Sequence, residues 1–289
     1  MSVERLPLAD GRSLDVEVVG PERGTVCVYH HGTPGSVMSL GFMAGAASAR
    51  DLRLVTYNRA GYGGSTRQPG RVVGDIAGDI AQVLDHVGAD RCVTFGWSGG
   101  GPHALACAAL LPDRVAAVAS VAGVKPFTSL EDWTAGMGED NVEEFALAIQ
   151  GADAMDEAFA GPIEAMAQAS AEDWIEIMQT ILSPGDVQVL RTPVGAEIAA
   201  YMSAGLTSAA GLVDDEVAFA HPWGCELSSV TAPAFIWQGS EDLSVPAAHL
   251  HGLAGLLPHA EVHFAEGAGH IDLLTESIGE ILDGLIRHL

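Results

Sequence analysis

The chain has 289 residues, 48% hydrophobic and 18% charged, a composition that supports a large buried core and excludes a disordered chain. Its formal charge is −25, with 13 Lys and Arg against 38 Asp and Glu, which excludes nucleic acid as a partner because phosphate binding needs a basic face. Cys27, Cys92, Cys107 and Cys225 form no C-x-x-C pair and read as buried, reduced thiols.

The opening stretch from Met1 to Asp10 has no apolar h-region of signal-peptide length. The longest apolar run, Val115 to Val124, is too short to span a bilayer, so the expectation is a cytoplasmic protein without a membrane partner. Arg12 to Val19 alternates like a half-exposed strand, and Gly20-Pro21-Glu22-Arg23-Gly24 supplies a turn. Thr25 to Tyr29 and Leu52 to Thr56 are short β-branched runs ending at loops, as in a parallel sheet. Val72 to Val87 repeats apolar residues at three and four, predicting an amphipathic helix laid on that sheet. Then come a strand at Arg91 to Phe95, a helix at Gly99 to Leu111 and a buried strand at Val115 to Val121.

From Pro126 the pattern turns to helices without strands: Leu130 to Ile149, Ala152 to Met166, Ala171 to Leu182 and Gly195 to Met202. Gly151, Gly161-Pro162 and Pro184-Gly185 separate them. Residues 126–222 hold 18 acidic residues and one basic residue, Arg191, a net of −17 against −8 for the rest. That contrast divides the chain into a core of residues 1–125 and 223–289 and an inserted acidic helical unit of residues 126–222. The βα alternation resumes with a strand at Ala234 to Gln238, a helix near Ala247 to Leu257, a strand at Glu261 to Phe264 and a helix from Ile271 to Ile286. The whole reads as an α/β fold whose mostly parallel sheet is covered on both faces.

Chemistry-bearing residues fall at the carboxyl ends of these strands, where open α/β sheets build sites. In Gly96-Trp97-Ser98-Gly99-Gly100 a serine sits between glycines at a strand-to-helix turn, the setting of a nucleophile elbow. Such a turn strains the serine, requires small residues two positions to either side, and leaves the Gly99 amide at a helix start. Asp242 follows the strand ending at Gln238, and His270 follows the strand ending at Phe264. A serine hydroxyl needs a base, and a histidine base needs a carboxylate to fix its tautomer; Ser98, His270 and Asp242 fill those roles. Glu241 adjoins Asp242 as the alternative acid. His30 and His31 are adjacent in an extended segment and point to opposite faces, which argues against a metal pair. His103 reads as a helical residue, and Asp272 as one that helps to begin the last helix.

With these residues in place the chain resembles the α/β-hydrolase superfamily, in the form with a helical cap, over essentially its whole length. The resemblance rests on His31-Gly32-Thr33-Pro34-Gly35, on Asn58-Arg59-Ala60-Gly61-Tyr62-Gly63-Gly64-Ser65, on the elbow, and on the order serine, acid, histidine. It implies an eight-stranded sheet, Asp242 rather than Glu241 as the acid, and an oxyanion hole made by the amides of Thr33 and Gly99. Asn58 stands where the family usually has aspartate, a departure read as structural. The resemblance further implies an acyl-enzyme on Ser98, since relatives that open epoxides or cleave haloalkanes carry aspartate at the elbow. No cofactor or metal is implied.

Trp97, Phe127 and Trp133 are the substrate-binding candidates, with Phe145, Met178 and Tyr201 as further apolar residues of the cap. The acidic insertion repels anions and suits a neutral ester or lactone, or a cation. The expected partner is a small-molecule ester, and the chain is expected to be a monomer or homodimer. A proline-iminopeptidase-like amidase is the alternative, although Thr33 and the order Gly96-Trp97-Ser98 depart from the His-Gly-Gly-Pro-Gly and Gly-Gly-Ser-Trp-Gly of those enzymes. A small-molecule receptor, or a cofactor-free oxygenase or lyase, is a further alternative on the same fold.

Overall fold

A computed structural model describes residues 3–289; Met1 and Ser2, part of the opening stretch read for a signal segment, lie outside the described residues. Eight strands form one sheet: β1 (Glu4–Pro7), β2 (Ser13–Val19), β3 (Thr25–His30), β4 (Leu52–Tyr57), β5 (Cys92–Trp97), β6 (Val115–Val121), β7 (Ala234–Gly239) and β8 (Ala260–Ala265). Their spatial order is β1-β2-β4-β3-β5-β6-β7-β8, the eight-stranded arrangement expected. β2 pairs antiparallel with both β1 and β4 at one edge, and the five pairs from β4–β3 onward are parallel. The central strands β5, β6 and β7 are buried at every position, which is why they read as continuous apolar runs rather than alternating ones.

Five helices cover the sheet: α1 (Gly41–Ser48), α2 (Ile76–His86) and α3 (Gly100–Leu110) precede β6, while α12 (Ala247–Leu256) and α13 (Ile271–Ile286) follow β7; the eight between them are numbered in chain order below. The stripe Ile76, Ile80, Val83 and Leu84 buries α2, and α3 is buried nearly throughout because it runs down the middle of the sheet from the end of β5. α13 buries Leu274, Ile278, Ile281, Leu282 and Leu285 on the same core.

Between β6 and β7 the chain leaves the sheet and forms α4 (Leu130–Trp133), α5 (Glu139–Ala148), α6 (Ala152–Phe159), α7 (Ile163–Met166), α8 (Ala171–Ile177), α9 (Pro184–Leu190), α10 (Pro193–Ala204) and α11 (Ala210–Phe219). Two of the long helices expected here are broken. The run from Leu130 stops at Trp133 because Gly136 takes a left-handed φ of 89° and a side chain at Gly138 would collide with the Thr180 carbonyl. The run from Ala152 breaks at Gly161-Pro162. Two helices were not expected. α9 starts with Pro184 at its first turn, capped by Ser183, whose hydroxyl accepts from the Asp186 N–H while the Asp186 carboxylate accepts from the Ser183 N–H. α11 carries Asp214, Asp215 and Glu216 in its buried part. Among the described residues, no helix is long and apolar enough to cross a membrane.

Candidate active site

The sharp turn after β5 leaves only Ser98 and Gly99 between strand and helix, and it places Ser98 at φ +55°. A non-glycine residue held in that region costs about 1–3 kcal/mol, so its surroundings must enforce it. The Ser98 N–H donates to Val121 O at 2.8 Å, and Gly101 N–H donates back to Ser98 O at 2.9 Å. A side chain at Gly96 would run into the Gly100 carbonyl, and one at Gly100 into the His30 carbonyl. Glycine at both positions is therefore a packing requirement of the turn.

Asp242 and His270 arrive from the loops after β7 and β8. His270 Nδ1 lies 2.8 Å from Asp242 Oδ2. Asp242 is fixed from its other sides: Oδ2 also accepts from Gln238 Nε2 at 2.7 Å, and Oδ1 accepts from the N–H groups of Ser244 and Val245 at 2.9 and 2.7 Å. An ionised carboxylate only accepts, so Nδ1 carries the proton and Nε2 is the basic nitrogen. Burial alone would lower the His270 pKa, but the charge and hydrogen bond of Asp242, with Asp186 and Asp272 further off, leave it above the ordinary histidine value. The indole of Trp97 donates to the His270 carbonyl at 3.0 Å and lies beside its ring. Glu241 is exposed and has no part in this arrangement.

The loop after β3 is held from below and above. Arg59, 1% exposed, donates to the carbonyls of His31 and Gly32 and to Thr33 Oγ1. Its guanidinium pairs with Asp215 of α11 at 2.6 Å, and Asp215 also accepts from Thr33 Oγ1 and Tyr62 Oη, each at 2.8 Å, and pairs with Arg71 at 2.6 Å. Burial would raise the Asp215 pKa; Arg59 and Arg71 overcome that and hold it well below the carboxylate range. From α10, Tyr201 Oη accepts the Gly32 N–H at 3.0 Å. Gly99 lies against Thr33 so closely that a side chain at 99 would overlap it. Among the described residues, neither the Thr33 nor the Gly99 amide donates to a protein acceptor, so both N–H groups are available beside Ser98.

His30 and His31 are both buried. His30 bonds Tyr57 Oη and Thr94 Oγ1 at 2.6 and 2.9 Å, whereas His31 bonds Gly32 O and accepts from the Arg59 N–H. His103 is buried with Nδ1 2.8 Å from Gly99 O. Asn58 accepts from the Val37 N–H and donates to Asp15, a structural role. Asp272 accepts the Gly269 N–H at 2.6 Å at the start of α13.

A cavity of about 450 Å³ lies between cap and sheet, lined by Ser98, His270, Thr33, Gly99 and Trp97 together with cap residues. Phe145 and Met178 line it as expected. Phe127 and Trp133 do not: Trp133 is fully buried, stacked edge-on against Phe145 and His249 with its indole donating to Lys125 O, and Phe127 packs on it from outside. They are cap core rather than pocket wall. Tyr201 also lies off the cavity lining, its hydroxyl committed to Gly32 and Tyr29. Missed in the sequence were Glu144 and Glu216, carboxylates lining the same cavity, and Asp186, whose partners are backbone N–H groups.

Residues 25–277 match the family model described as the alpha/beta hydrolase fold, and the chain belongs to that family. Among curated proteins it is similar to epoxide hydrolase B of Mycobacterium tuberculosis, 32% identical over 103 residues, 35% of this chain and 29% of that protein. It is also similar to a putative carbamate hydrolase of Variovorax paradoxus, 32% identical over 110 residues, 37% of this chain and 41% of that protein. The matched segments thus span less than half of these relatives. Among solved structures, an esterase from Rhodococcus sp. superposes with a TM-score of 0.73 at 23% identity over 100% of both chains. The enol-lactonase of Burkholderia xenovorans gives 0.65 at 19% identity over 97% of this chain and 100% of that one, a likeness of fold alone.

Proposed function

We propose that the protein is a serine hydrolase that cleaves a small carboxylic ester or lactone bearing no negative charge, through an acyl-enzyme on Ser98. The observation that carries this reading is the Asp242–His270 pair at 2.8 Å, opening onto the cavity that Ser98 enters from its strained turn. His270 Nε2 takes the hydroxyl proton as Ser98 Oγ attacks the carbonyl carbon, and Asp242 stabilises the imidazolium. The oxyanion receives the N–H groups of Thr33 and Gly99, the latter at the start of α3. Collapse breaks the C–O bond while His270 returns its proton to the leaving oxygen. A water deprotonated by His270 then attacks the acyl carbonyl and regenerates Ser98.

Epoxide opening, the activity in the names of the Mycobacterium tuberculosis relatives, is not supported at a serine. Attack of Ser98 on an epoxide carbon would give an alkyl ether, which has no carbonyl for water to attack. The test is labelling by a fluorophosphonate, followed by turnover of short and medium p-nitrophenyl esters and lactones. Labelling and turnover in wild type, both lost in Ser98→Ala, are expected. Equal labelling of the two proteins without ester turnover overturns the reading. Faster cleavage of proline naphthylamide than of esters would overturn ester preference in favour of the amidase alternative.

A further inference from the structure

The cavity is strongly one-signed. Asp140, Glu143 and Glu144 line it from α5 and Glu216 from α11, and no Lys or Arg is among its lining residues. Asp140 and Glu143 are exposed, Glu144 is half-buried, and Glu216 is 6% exposed. Glu216 Oε2 is buried and has no hydrogen-bond partner. An orphaned carboxylate oxygen that is buried costs free energy unless something donates to it. Asp215, its neighbour in sequence, takes Arg59 and Arg71, so the nearest cations in the fold are committed elsewhere. The remaining walls are largely apolar, with the aromatic rings of Trp97, Phe145, Phe159, Trp174 and Phe219 among them.

We infer that Glu216, with Glu144, forms a subsite for a protonated primary or secondary amine carried by the substrate. The inference rests on the serine-hydrolase reading for the reaction but specifies the substrate class, an amine-bearing acyl compound rather than a neutral one. Two carboxylates within aromatic walls attract a cation by charge and by the ring faces. The orphaned oxygen selects an N–H donor over a quaternary ammonium, which has none to give. Burial and the proximity of Asp140 raise Glu144 to about 7, and burial together with Glu144 raises Glu216 well above the ordinary carboxylate value. An ammonium entering the site favours the ionised form of both carboxylates. Glu216 and Ser98 line the same cavity. Glu216 and Phe219 are three apart on α11 and share a face, and Phe219 abuts Gly99. One helical turn, about 5 Å, thus separates the carboxylate's position on α11 from the residue packed on the elbow.

Two measurements test this. In the first, kcat/KM is compared for phenylalanine methyl ester and 3-phenylpropanoate methyl ester, which differ only by the amine. Wild type should prefer the amine by at least tenfold, and that ratio should fall at least tenfold in Glu216→Gln and in part in Glu144→Gln. In the second, hexylammonium, hexanol and hexyltrimethylammonium are titrated calorimetrically into Ser98→Ala, where no turnover intervenes. Hexylammonium should bind at least tenfold more tightly than either. Ester hydrolysis with no amine preference, and equal binding of hexanol and hexylammonium, overturn the subsite while leaving the hydrolase reading intact. Selective ammonium binding without fluorophosphonate labelling or ester turnover does the reverse. Should Glu216→Gln fail to fold, the Glu144→Gln ratio and the three-ligand titration still decide.

Discussion

Asp186, a residue of the cap, accepts the backbone N–H of His270 at 3.1 Å. Its other oxygen accepts from Ile271 and Asp272 at 2.6 and 3.1 Å, so one buried carboxylate closes the first turn of α13, at whose start His270 sits. Those N–H groups have no partner within the helix, and the positive end of its dipole faces the charge. Asp186→Ala should therefore destabilise the fold by about 1–3 kcal/mol, the usual cost of unpaired buried donors. It should also lower kcat more than it raises KM, since it loosens His270 and not the pocket. Thermal denaturation with steady-state kinetics on one ester checks both, and an unchanged kcat would refute the positioning role.

The pH profile follows from the raised His270 pKa. The base must be neutral to accept the Ser98 proton, so kcat/KM should rise with pH through an acid limb whose midpoint lies above 6.5, the ordinary histidine value. Removing a nearby negative charge makes the imidazolium less favourable and lowers that pKa. Asp186→Asn, which keeps an acceptor oxygen, should move the limb to lower pH while restoring part of the kcat lost in the alanine variant. A pH series of kcat/KM for the two variants separates charge from hydrogen bonding.

Asp215 predicts a larger loss. Its replacement by Ala would strand Arg59 and Arg71 in the interior and release Thr33 Oγ1, with an expected cost of about 3–5 kcal/mol. Chemical denaturation measures the loss. A Thr33→Val variant, which keeps the backbone N–H but drops the hydroxyl, should lose far less stability than Asp215→Ala.

The Glu144–Glu216 pair has the opposite sign in stability. A carboxyl whose folded pKa is raised stabilises the fold fully below its unfolded value and loses that contribution as pH climbs through the folded value. For Glu144 the window runs from 4.5 to about 7. Glu216→Gln should accordingly raise Tm relative to wild type at pH 8 and give no gain at pH 4. Differential scanning at the two pH values decides it, and an equal shift at both would show that ionisation is not the cause.

The core and the candidate residues at its strand ends were legible in sequence because short buried strands followed by glycine-bearing turns carry strong local signals. Ser98, Asp242 and His270 each stand just past such a strand. The cap was less legible, since its helix limits depend on tertiary contacts: Gly138 packs against the Thr180 carbonyl from another segment, next to the left-handed Gly136. Pro184-Gly185 read as a breaker, although proline suits a first helical turn and the capping pair Ser183 and Asp186 was present to signal it. Asp214-Asp215-Glu216 did not stand out within the acidic insertion because the arginines that neutralise Asp215 lie some 150 residues earlier in the chain. Trp133 and Phe127 read as pocket lining because they are bulky apolar residues of the cap, whereas packing against Phe145 and His249 withdraws Trp133 from the cavity.

Three cap contacts hold three different parts of the proposed reactive apparatus: Tyr201 the Gly32 amide, Asp215 the Thr33 side chain, and Asp186 the helix that carries His270. The segment α9 to α11 that bears them is thus part of the machine and not a cover over it. Among the described residues, α6 to α8 supply wall residues such as Phe159 and Trp174 without such ties, whereas Asn141 of α5 donates to Ser244 O in the Asp242 loop at 2.9 Å. Divergence or laboratory evolution of new specificities therefore has its freest ground in α6 to α8, where sequence can drift while the proposed chemistry stays aligned.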